Sequence, residues 1–227
     1  MKCIVPLAGP DIYSADRGFR PLVLYEGTCL IERALDSRPW AAQLSPRDYI
    51  FVTRSDLGDG QLDAFLARHW PGSANVKLPS VTDGAMLSAL AAVALCPDDR
   101  PIIVDLADIL FQCEPLERVE FTRSTGAIVP TFQSQEAIYS YLQEEQGRVV
   151  RAAEKRVIGT KASAGVYMFR SRELYMSAAA HSIRNRSSLQ HNGLYFVCPM
   201  VNGILEMGYE VEAVPVTDVV PVSKLFH

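Results

Sequence analysis

Short apolar runs that alternate with helix-like segments are the feature that most constrains the fold of this 227-residue chain. Runs of strand length occur at residues 2–7, 48–53, 75–78 and 101–105, and an Ala- and Leu-rich helical segment at 83–95 precedes the last of them. This alternation is typical of β-α-β units, in which crossover helices join parallel strands. The run at 101–105 is almost wholly apolar, so we predict that it lies at the centre of the sheet.

Strand-like runs follow one another more closely in the second half, at residues 126–131, 138–142, 149–153 and 164–169. The last helical segment spans residues 195–206. Because strands without intervening helices pair in antiparallel fashion, this half favours a mixed sheet. We therefore predict an α/β fold with a mixed, mainly parallel central sheet flanked by helices, and with a small β-rich lobe.

Length, charge and cysteine usage narrow the classes of function. A chain of 227 residues can bury one sizeable core, and without repeats or linkers it is interpreted as a single domain with halves at 1–125 and 126–227. The net charge of −4 argues against general nucleic-acid binding. No apolar run approaches the ~20 residues of a membrane span, and the N-terminal run is too short for a signal peptide. Five scattered cysteines favour a reducing cytoplasm over disulfides or structural zinc.

Ligands bind an open parallel sheet beyond the carboxyl ends of its strands, and the segment at residues 8–20 occupies that position. Ala8 and Gly9 allow a ligand to approach the backbone closely. Arg17 and Arg20 in the same loop offer guanidinium groups that suit phosphate oxygens. An ordinary polar loop with solvated arginines is the alternative that these residues leave open.

Two further segments are predicted at the same edge of the sheet. At residues 82–85, Gly84 is a poor helix former in a first helical turn, which indicates a close approach to the backbone, although a simple cap by Thr82 explains it equally well. Asp105 and Asp108 stand at the end of an apolar strand. A buried carboxylate needs a partner there, and Mg²⁺ bound together with phosphate oxygens would be one. Capping of the loop by Asp is the alternative.

Taken in order, these segments resemble those of the sugar-phosphate nucleotidyltransferases, the nucleotide-sugar pyrophosphorylase family, over most of the chain. MKCIVPLAG resembles the first strand and nucleotide loop, FRPLVLYEGTCLIERAL the lysine-containing PKPLI segment, and TDGAMLSALAA the TxGxA segment that holds the base. PIIVDLADIL is similar to the strand that ends in the metal-binding Asp, and AAEKRVIGTKASAGVYMFRS to the EK segment and GxYxF strand. FVCPMVNGILEMGYEVEAVPV resembles the late helix and strand of the smaller members.

The resemblance implies transfer of a nucleoside monophosphate from a nucleoside triphosphate to a sugar 1-phosphate or similar phosphorylated alcohol, with release of pyrophosphate. It implies a role in polysaccharide or nucleotide-sugar synthesis. The expected partners are these two substrates, with self-association left open and with neither nucleic acid nor a membrane. By this resemblance Leu7, Ala8, Gly9, Thr82, Gly84 and Ala85 bind the nucleotide, Glu154, Lys155 and Gly165 bind the sugar phosphate, Arg20, Asp108 and Lys155 are catalytic, and Asp108 holds Mg²⁺.

The nucleotide loop departs from the family pattern. The family sequence is GxGxR, whereas here Gly9 is followed by Pro10, by Asp11 in place of the second glycine, and by Tyr13 in place of the catalytic Arg. Arg20 replaces the family's Lys. Since one lost charge-assisted donor costs about 3–4 kcal/mol of transition-state stabilisation, a second hypothesis is a catalytically degenerate regulatory relative that binds a nucleotide or sugar.

The late segment departs from the family as well. No second metal-binding Asp is evident there, because Cys198, Pro199, Met200 and Val201 occupy that region. A glycosyltransferase that uses a ready-made nucleotide sugar is the third hypothesis. It ranks last because the Asp105-to-Asp108 spacing differs from the DxD motif that such enzymes use.

Overall fold

A computed structural model describes residues 1–58, 60–97, 100–113, 116 and 119–222. The described strands are β1 (Lys2–Pro6), β2 (Tyr13–Ser14), β3 (Gly18–Phe19), β4 (Leu24–Tyr25), β5 (Thr28–Cys29), β6 (Tyr49–Arg54), β7 (Ala74–Leu78), β8 (Ile102–Asp105), β9 (Ile109–Gln112), β10 (Thr125–Gln133), β11 (Tyr141–Glu145), β12 (Arg148–Ala153), β13 (Lys161–Ser163), β14 (Val166–Phe169), β15 (Glu210–Pro215) and β16 (Thr217–Pro221). The described α-helices are α1 (Leu30–Asp36), α2 (Gln61–His69), α3 (Ala85–Val93), α4 (Arg172–Arg184), α5 (Arg186–Leu189) and α6 (Val201–Glu206).

A 10-stranded mixed sheet runs through the molecule in the order β12-β11-β13-β10-β14-β8-β1-β6-β7, with β15 paired to β10. The β8-β1-β6-β7 portion is parallel, as is the β10–β15 pair. Strand β14 joins β8 in antiparallel fashion, and the β10 to β12 portion is antiparallel too. The predicted mixed α/β sheet is therefore confirmed, and the run at 101–105 forms the central strand β8.

Helices cover both faces of this sheet and create two cores. On one face α3, α4 and α6 pack through residues such as Met86, Tyr175 and Ile204. On the other face α1 and α2 pack with Trp40 and Trp70. Because β1 and β8 are covered on both sides, the side chains of Cys3–Val5 and Ile102–Val104 are apolar whichever way they point.

Strand β1 is the point at which the winding of the sheet reverses. The chain first adds β6 and β7 on one side of β1, and then returns through α3 to place β8 on the other side. The crevice at such a switch point is where open α/β sheets bind ligands. Here it lies between the loop that follows β1 and the loop at residues 106–108.

Two predicted elements differ from the structure. The strand predicted at 138–142 begins only at Tyr141, because the Tyr139 N–H donates to the Glu136 carbonyl and closes a turn. The helix predicted at 195–206 is a 3₁₀ turn at Cys198–Met200 that leads into α6, since Pro199 has no N–H to extend a helix through this point. Among the described residues, no helix combines the length and apolar character that crossing a membrane requires.

Candidate functional site

The loop after β1 folds back on itself as a small hairpin. Strands β2 and β3 pair in antiparallel fashion at its tip. The Ile12 N–H lies 3.3 Å from the Gly9 carbonyl oxygen, and the Leu7 N–H donates to the Val52 carbonyl at 2.7 Å. Both amides are therefore bonded within the protein. Tyr13, at the position of the family's Arg, lies at the hairpin with 41% of its surface exposed.

Arg20 is the cation that this loop directs toward the switch point. Its guanidinium forms an ion pair with the carboxylate of Asp11. Together with Leu7 and Asp108 it lines a cavity of about 30 Å³. A space of this size holds one or two water molecules. An acid of the same loop, Asp11, is therefore the ion-pair partner of this arginine.

Asp108 lines this cavity, and one of its carboxylate oxygens lacks a hydrogen bond. Within the described part of the chain, its Oδ1 is buried and has no partner. A Cβ atom at Gly165 would lie 2.5 Å from this oxygen, so only glycine leaves room for the carboxylate there. Burial raises the pKa of Asp108 to about 6, the nearby Arg20 charge opposes that rise, and the Asp105 charge adds to it. The preceding residue, Ala107, has a φ of 52°, a conformation that stores strain at functional sites.

Asp105 is a different kind of acid, although it stands only three residues away. Arg38 donates two hydrogen bonds to its carboxylate, from Nε at 2.7 Å and from Nη2 at 2.9 Å. The Ala107 N–H donates to the same carboxylate at 2.9 Å. Arg38 also donates to the Ile109 carbonyl at 2.9 Å and lies over the Phe111 ring. Asp105 is thus fully paired inside the core, and the unpartnered acid is Asp108.

Glu154 approaches the same region from the end of β12. The hydroxyl of Ser140 donates to its carboxylate. Burial raises the pKa of Glu154 to about 7; Ser140 and Lys155 oppose the rise, while the Asp108 charge adds to it. The Asp108 carboxylate is therefore close enough to influence the ionisation of Glu154.

A buried polar cluster supports Glu154 from behind. The Tyr167 hydroxyl lies within hydrogen-bonding reach of Ser140 and Ser163. The thiol of Cys198 borders the same cluster and donates weakly to the Tyr141 carbonyl at 3.9 Å. Burial raises the pKa of the Cys198 thiol well above its ordinary value, which makes it a poor nucleophile. Sequence reasoning missed Ser140, which stands in no recognisable motif, and it placed Tyr167 in the GxYxF strand without assigning it a role.

Gly84 indicated that a group approaches the backbone closely at this point. That group belongs to another segment of the protein. A Cβ atom at Gly84 would lie 2.1 Å from the Tyr195 carbonyl oxygen, and φ at Gly84 is +114°. The Tyr195 N–H donates to the Asp83 carbonyl at 2.7 Å. Thr82 donates its hydroxyl to the Gly84 carbonyl at 3.1 Å. A capping side chain accepts from a backbone N–H instead, and Gly84 is itself the N-cap of α3 with no side-chain cap hydrogen bond, so the predicted cap by Thr82 is wrong. The Tyr195 contact accounts for the glycine, and a nucleotide contact at Thr82, Gly84 and Ala85 stays a prediction.

Lys155 follows Glu154 in the chain and is exposed at the surface. Its Nζ lies 5.6 Å from the centre of the Phe196 ring, and its φ of 46° is unusual for a residue other than glycine. The neighbouring Tyr195 is the residue that presses on Gly84. Among the predicted site residues, Leu7, Arg20 and Asp108 line one cavity, Gly165 contacts Asp108, and Glu154 is close enough to feel the Asp108 charge. Lys155 contacts Phe196, and the 82–85 segment contacts the neighbouring Tyr195.

Solved structures with this architecture are numerous, although the sequence identities are low. A nucleoside-diphosphate-sugar pyrophosphorylase from Vibrio cholerae RC9 has a TM-score of 0.78 at 18% identity, and the match covers 98% of this chain and 95% of that one. A candidate glucose-1-phosphate thymidylyltransferase from Bacillus anthracis, in complex with sucrose, has a TM-score of 0.71 at 17% identity, covering 96% and 87%. The inositol-1-phosphate CTP transferase from T. maritima has a TM-score of 0.69 at 12% identity, covering 96% and 86%.

The fold is that of the sugar-phosphate nucleotidyltransferases. No family model matches the sequence, and no curated protein is significantly similar to it. The likeness is therefore one of three-dimensional structure, as expected for a divergent member of this fold group.

Asp108 is the residue to compare with the Mg²⁺ site that the sequence resemblance implies. Within the described residues, no three His, Cys, Asp or Glu side chains cluster as a metal site. Mg²⁺, however, often takes only one or two protein carboxylates and completes its shell with water and substrate phosphates. The unpartnered Oδ1 of Asp108 at the cavity fits that mode, and Asp105 does not, because Arg38 occupies it.

Proposed function

We propose that this protein transfers a nucleoside monophosphate from a nucleoside triphosphate to a sugar 1-phosphate or a similar phosphorylated alcohol, and releases pyrophosphate. The observation that carries the proposal is the unpartnered Asp108 carboxylate, which faces Arg20 at the switch point of this fold. A buried acid without a partner costs stability, and a site that receives a cation together with phosphates accounts for that cost.

In this proposal each residue at the switch point has a separate task. Arg20 exchanges Asp11 for a phosphate oxygen of the nucleotide, and its planar guanidinium holds that group in line for attack. Leu7, Ala8 and Gly9 form the backbone wall beside the nucleotide, with Thr82, Gly84 and Ala85 at the base. Asp108 would hold Mg²⁺ together with the phosphates, and the ion would neutralise the charge that develops during transfer.

The acceptor side is proposed to be the second half of the chain. Glu154, fixed by Ser140, accepts hydrogen bonds from hydroxyl groups of the sugar or polyol. Lys155 neutralises the acceptor phosphate, and Gly165 leaves space for Asp108. This division corresponds to a single domain with a nucleotide half at 1–125 and a sugar-phosphate half at 126–227.

A pyrophosphate-release assay tests the proposal and the role of Asp108 together. The common nucleoside triphosphates are combined with Mg²⁺ and a panel of sugar and polyol phosphates. For the pair that reacts, Asp108→Asn should lower the rate by at least about 10²-fold, because the isosteric amide removes the charge that holds the cation. Asp16→Asn, which changes an exposed acid of the same loop, is the control. Full activity of Asp108→Asn would refute its assigned role.

A binding protein without turnover is the second candidate, and the loop after β1 favours it. Asp11 forms an ion pair with Arg20, and the cavity that Arg20 and Asp108 line measures about 30 Å³. Such a regulatory relative would bind a nucleotide or sugar phosphate and release no pyrophosphate with any pair of substrates. Equilibrium binding measured beside the release assay separates the two candidates.

The cellular setting of this activity is a separate part of the proposal. Cysteines 3, 29, 96, 113 and 198 are all free, which suits a cytoplasmic location. Nucleotide sugars feed polysaccharide synthesis, so we assign the protein to that class of pathway. Self-association would be measured by light scattering alongside the assays.

A further inference from the structure

The outer face of helix α4 is apolar, whereas the outer faces of surface helices are usually polar. Met176 is 51% exposed and Ile183 is 42% exposed, although α4 also has a fully buried inner face. Their spacing of seven residues places both on one side of the helix, with the half-buried Ala180 between them. We call these three residues the α4 stripe. On α2, in contrast, the exposed residues are Gln61, Ala64, Ala67 and Arg68.

Charged side chains of opposite sign stand at the two ends of the α4 stripe. Glu173 is exposed in the first turn of α4, and Arg184 is exposed at the last residue of the helix. Neither forms an ion pair with another described residue. They are 11 residues apart in the sequence. This is about 16 Å along the helix axis, which is too far for the two to pair with each other. The stripe therefore has one negative and one positive end.

This arrangement is complementary to a second copy of itself in the antiparallel orientation. A two-fold axis near Ala180 would place Met176 of each copy opposite Ile183 of the other. The same axis would bring each Glu173 to the Arg184 end of the other helix, because the midpoints of the two residue pairs differ by only about 1.5 Å along the helix. Ala180 is small, so the helix axes can approach to about 8 Å. Antiparallel helix dipoles also attract each other.

Helix α4 is held firmly, so little conformational entropy is lost when its outer face is covered. The Leu174 N–H donates to the hydroxyl of the N-cap Ser171 at 3.2 Å. The Tyr175 hydroxyl donates to the Met86 carbonyl on α3. Near the other end of the helix, His181 contacts the carboxylate of Glu206 on α6. The stripe is therefore a preorganised surface, which favours association.

We propose that the α4 stripe is the contact between two copies of this chain, which form a two-fold dimer through antiparallel α4 helices. A second copy fits this surface because one stripe supplies both the apolar residues and the two opposite charges of the match. The inference does not depend on the proposed enzyme activity. A single pair of helices buries less surface than a standard protein interface, so the dimer is expected to be weak and dependent on protein concentration.

Sedimentation equilibrium of the full chain, from about 1 µM to about 500 µM, measures this association. Ile183→Asp should raise the dissociation constant about tenfold or more, because it places a charge in the apolar centre of the contact. Leu24→Asp, at an apolar residue that is 66% exposed on β4, is the matched control and should associate like the wild type. A wild type that stays monomeric at every concentration overturns the proposal.

Charge reversal tests the antiparallel orientation. Glu173→Arg and Arg184→Glu each place like charges at both ends of the contact, so either variant alone should associate about tenfold more weakly. Mixed together, the two variants should associate again, because each end then meets an opposite charge. Arg68→Glu, at an exposed position on α2, is the control.

A mixture that associates no better than either variant alone overturns the antiparallel α4 contact, even where the wild type dimerises. Far-UV circular dichroism of each variant verifies that the chain is folded. Should Ile183→Asp fail to fold, the charge variants decide, since both replace exposed residues. The contact should also weaken as the salt concentration rises, because exposed charges are screened.

Discussion

Glu154 is an acid in surroundings that favour its neutral form. Burial raises its pKa from 4.5 to about 7. Between those two values the folded protein retains a proton that the unfolded chain has released, so the free energy of unfolding falls as the pH rises. The loss reaches about 3 kcal/mol once the pH exceeds 7, at 1.36 kcal/mol for each pKa unit. Such a cost in stability is typical of sites at which the charged form of the acid takes part in function.

Replacing this carboxylate should therefore stabilise the protein at alkaline pH. Glu154→Gln keeps an acceptor for Ser140 and removes the titrating group. We expect a gain of up to about 3 kcal/mol at pH 8 and less than about 1 kcal/mol at pH 5, measured by urea unfolding at each pH. Glu145→Gln, at an exposed position on β11, is the control and should show no such difference. A gain that is equal at both pH values would contradict the prediction.

The two aspartates after β8 mark a limit of sequence reasoning at this scale. The pattern predicts that a buried carboxylate here needs a partner, and it leaves open which acid that is. Arg38 is the partner of Asp105, and it lies 67 residues away in the sequence. Charge complementarity across that distance leaves no pattern in the local sequence. The strand before Asp105, in contrast, has a recognisable apolar pattern. The edge of the sheet was therefore predictable from sequence, and the pairing that leaves Asp108 free was not.

Among the loops that join the elements, the start of α3 depends most on a glycine. Gly84→Ala would place a methyl group 2.1 Å from the Tyr195 carbonyl oxygen, in addition to the strain of a positive φ. Gly147→Ala has a φ of +77° and no atom within 4 Å of the new Cβ, so it isolates the strain alone. We expect a loss of about 1 kcal/mol at Gly147 and at least about 3 kcal/mol at Gly84, by urea unfolding. Similar losses at both positions would show that Tyr195 moves away from the new methyl group at little cost in stability.

Elements with a strong local pattern were predictable, and those fixed by distant partners were not. The apolar run of β8 and the Ala- and Leu-rich α3 follow from periodicity and composition. The strands β9 and β16 were missed, because each is defined by pairing with a segment about 100 residues away. The β2–β3 hairpin was missed as well, since its two-residue strands carry no alternation.

The two halves of the molecule share one sheet and one core. Strand β14 of the second half pairs with β8 of the first half over four residues. On one face, the Tyr175 hydroxyl donates to the Met86 carbonyl at 3.1 Å and so joins α4 to α3. The Tyr195 contact with Asp83 adds a further bridge. Neither half can therefore separate without exposing a central strand and the apolar surface of α3.

This sharing predicts that the whole chain unfolds in one cooperative transition. Both tryptophans, Trp40 and Trp70, are buried in the half at 1–125, so their fluorescence reports on that half alone. Far-UV circular dichroism reports on both halves. If β8 and α3 hold the halves together, the two signals should give the same urea midpoint and slope. A fluorescence transition that clearly precedes or follows the dichroism would show that the halves at 1–125 and 126–227 fold independently. The sugar-phosphate side would then be free to move relative to the nucleotide side, and the close approach of Glu154 and Asp108 would no longer be fixed by the sheet.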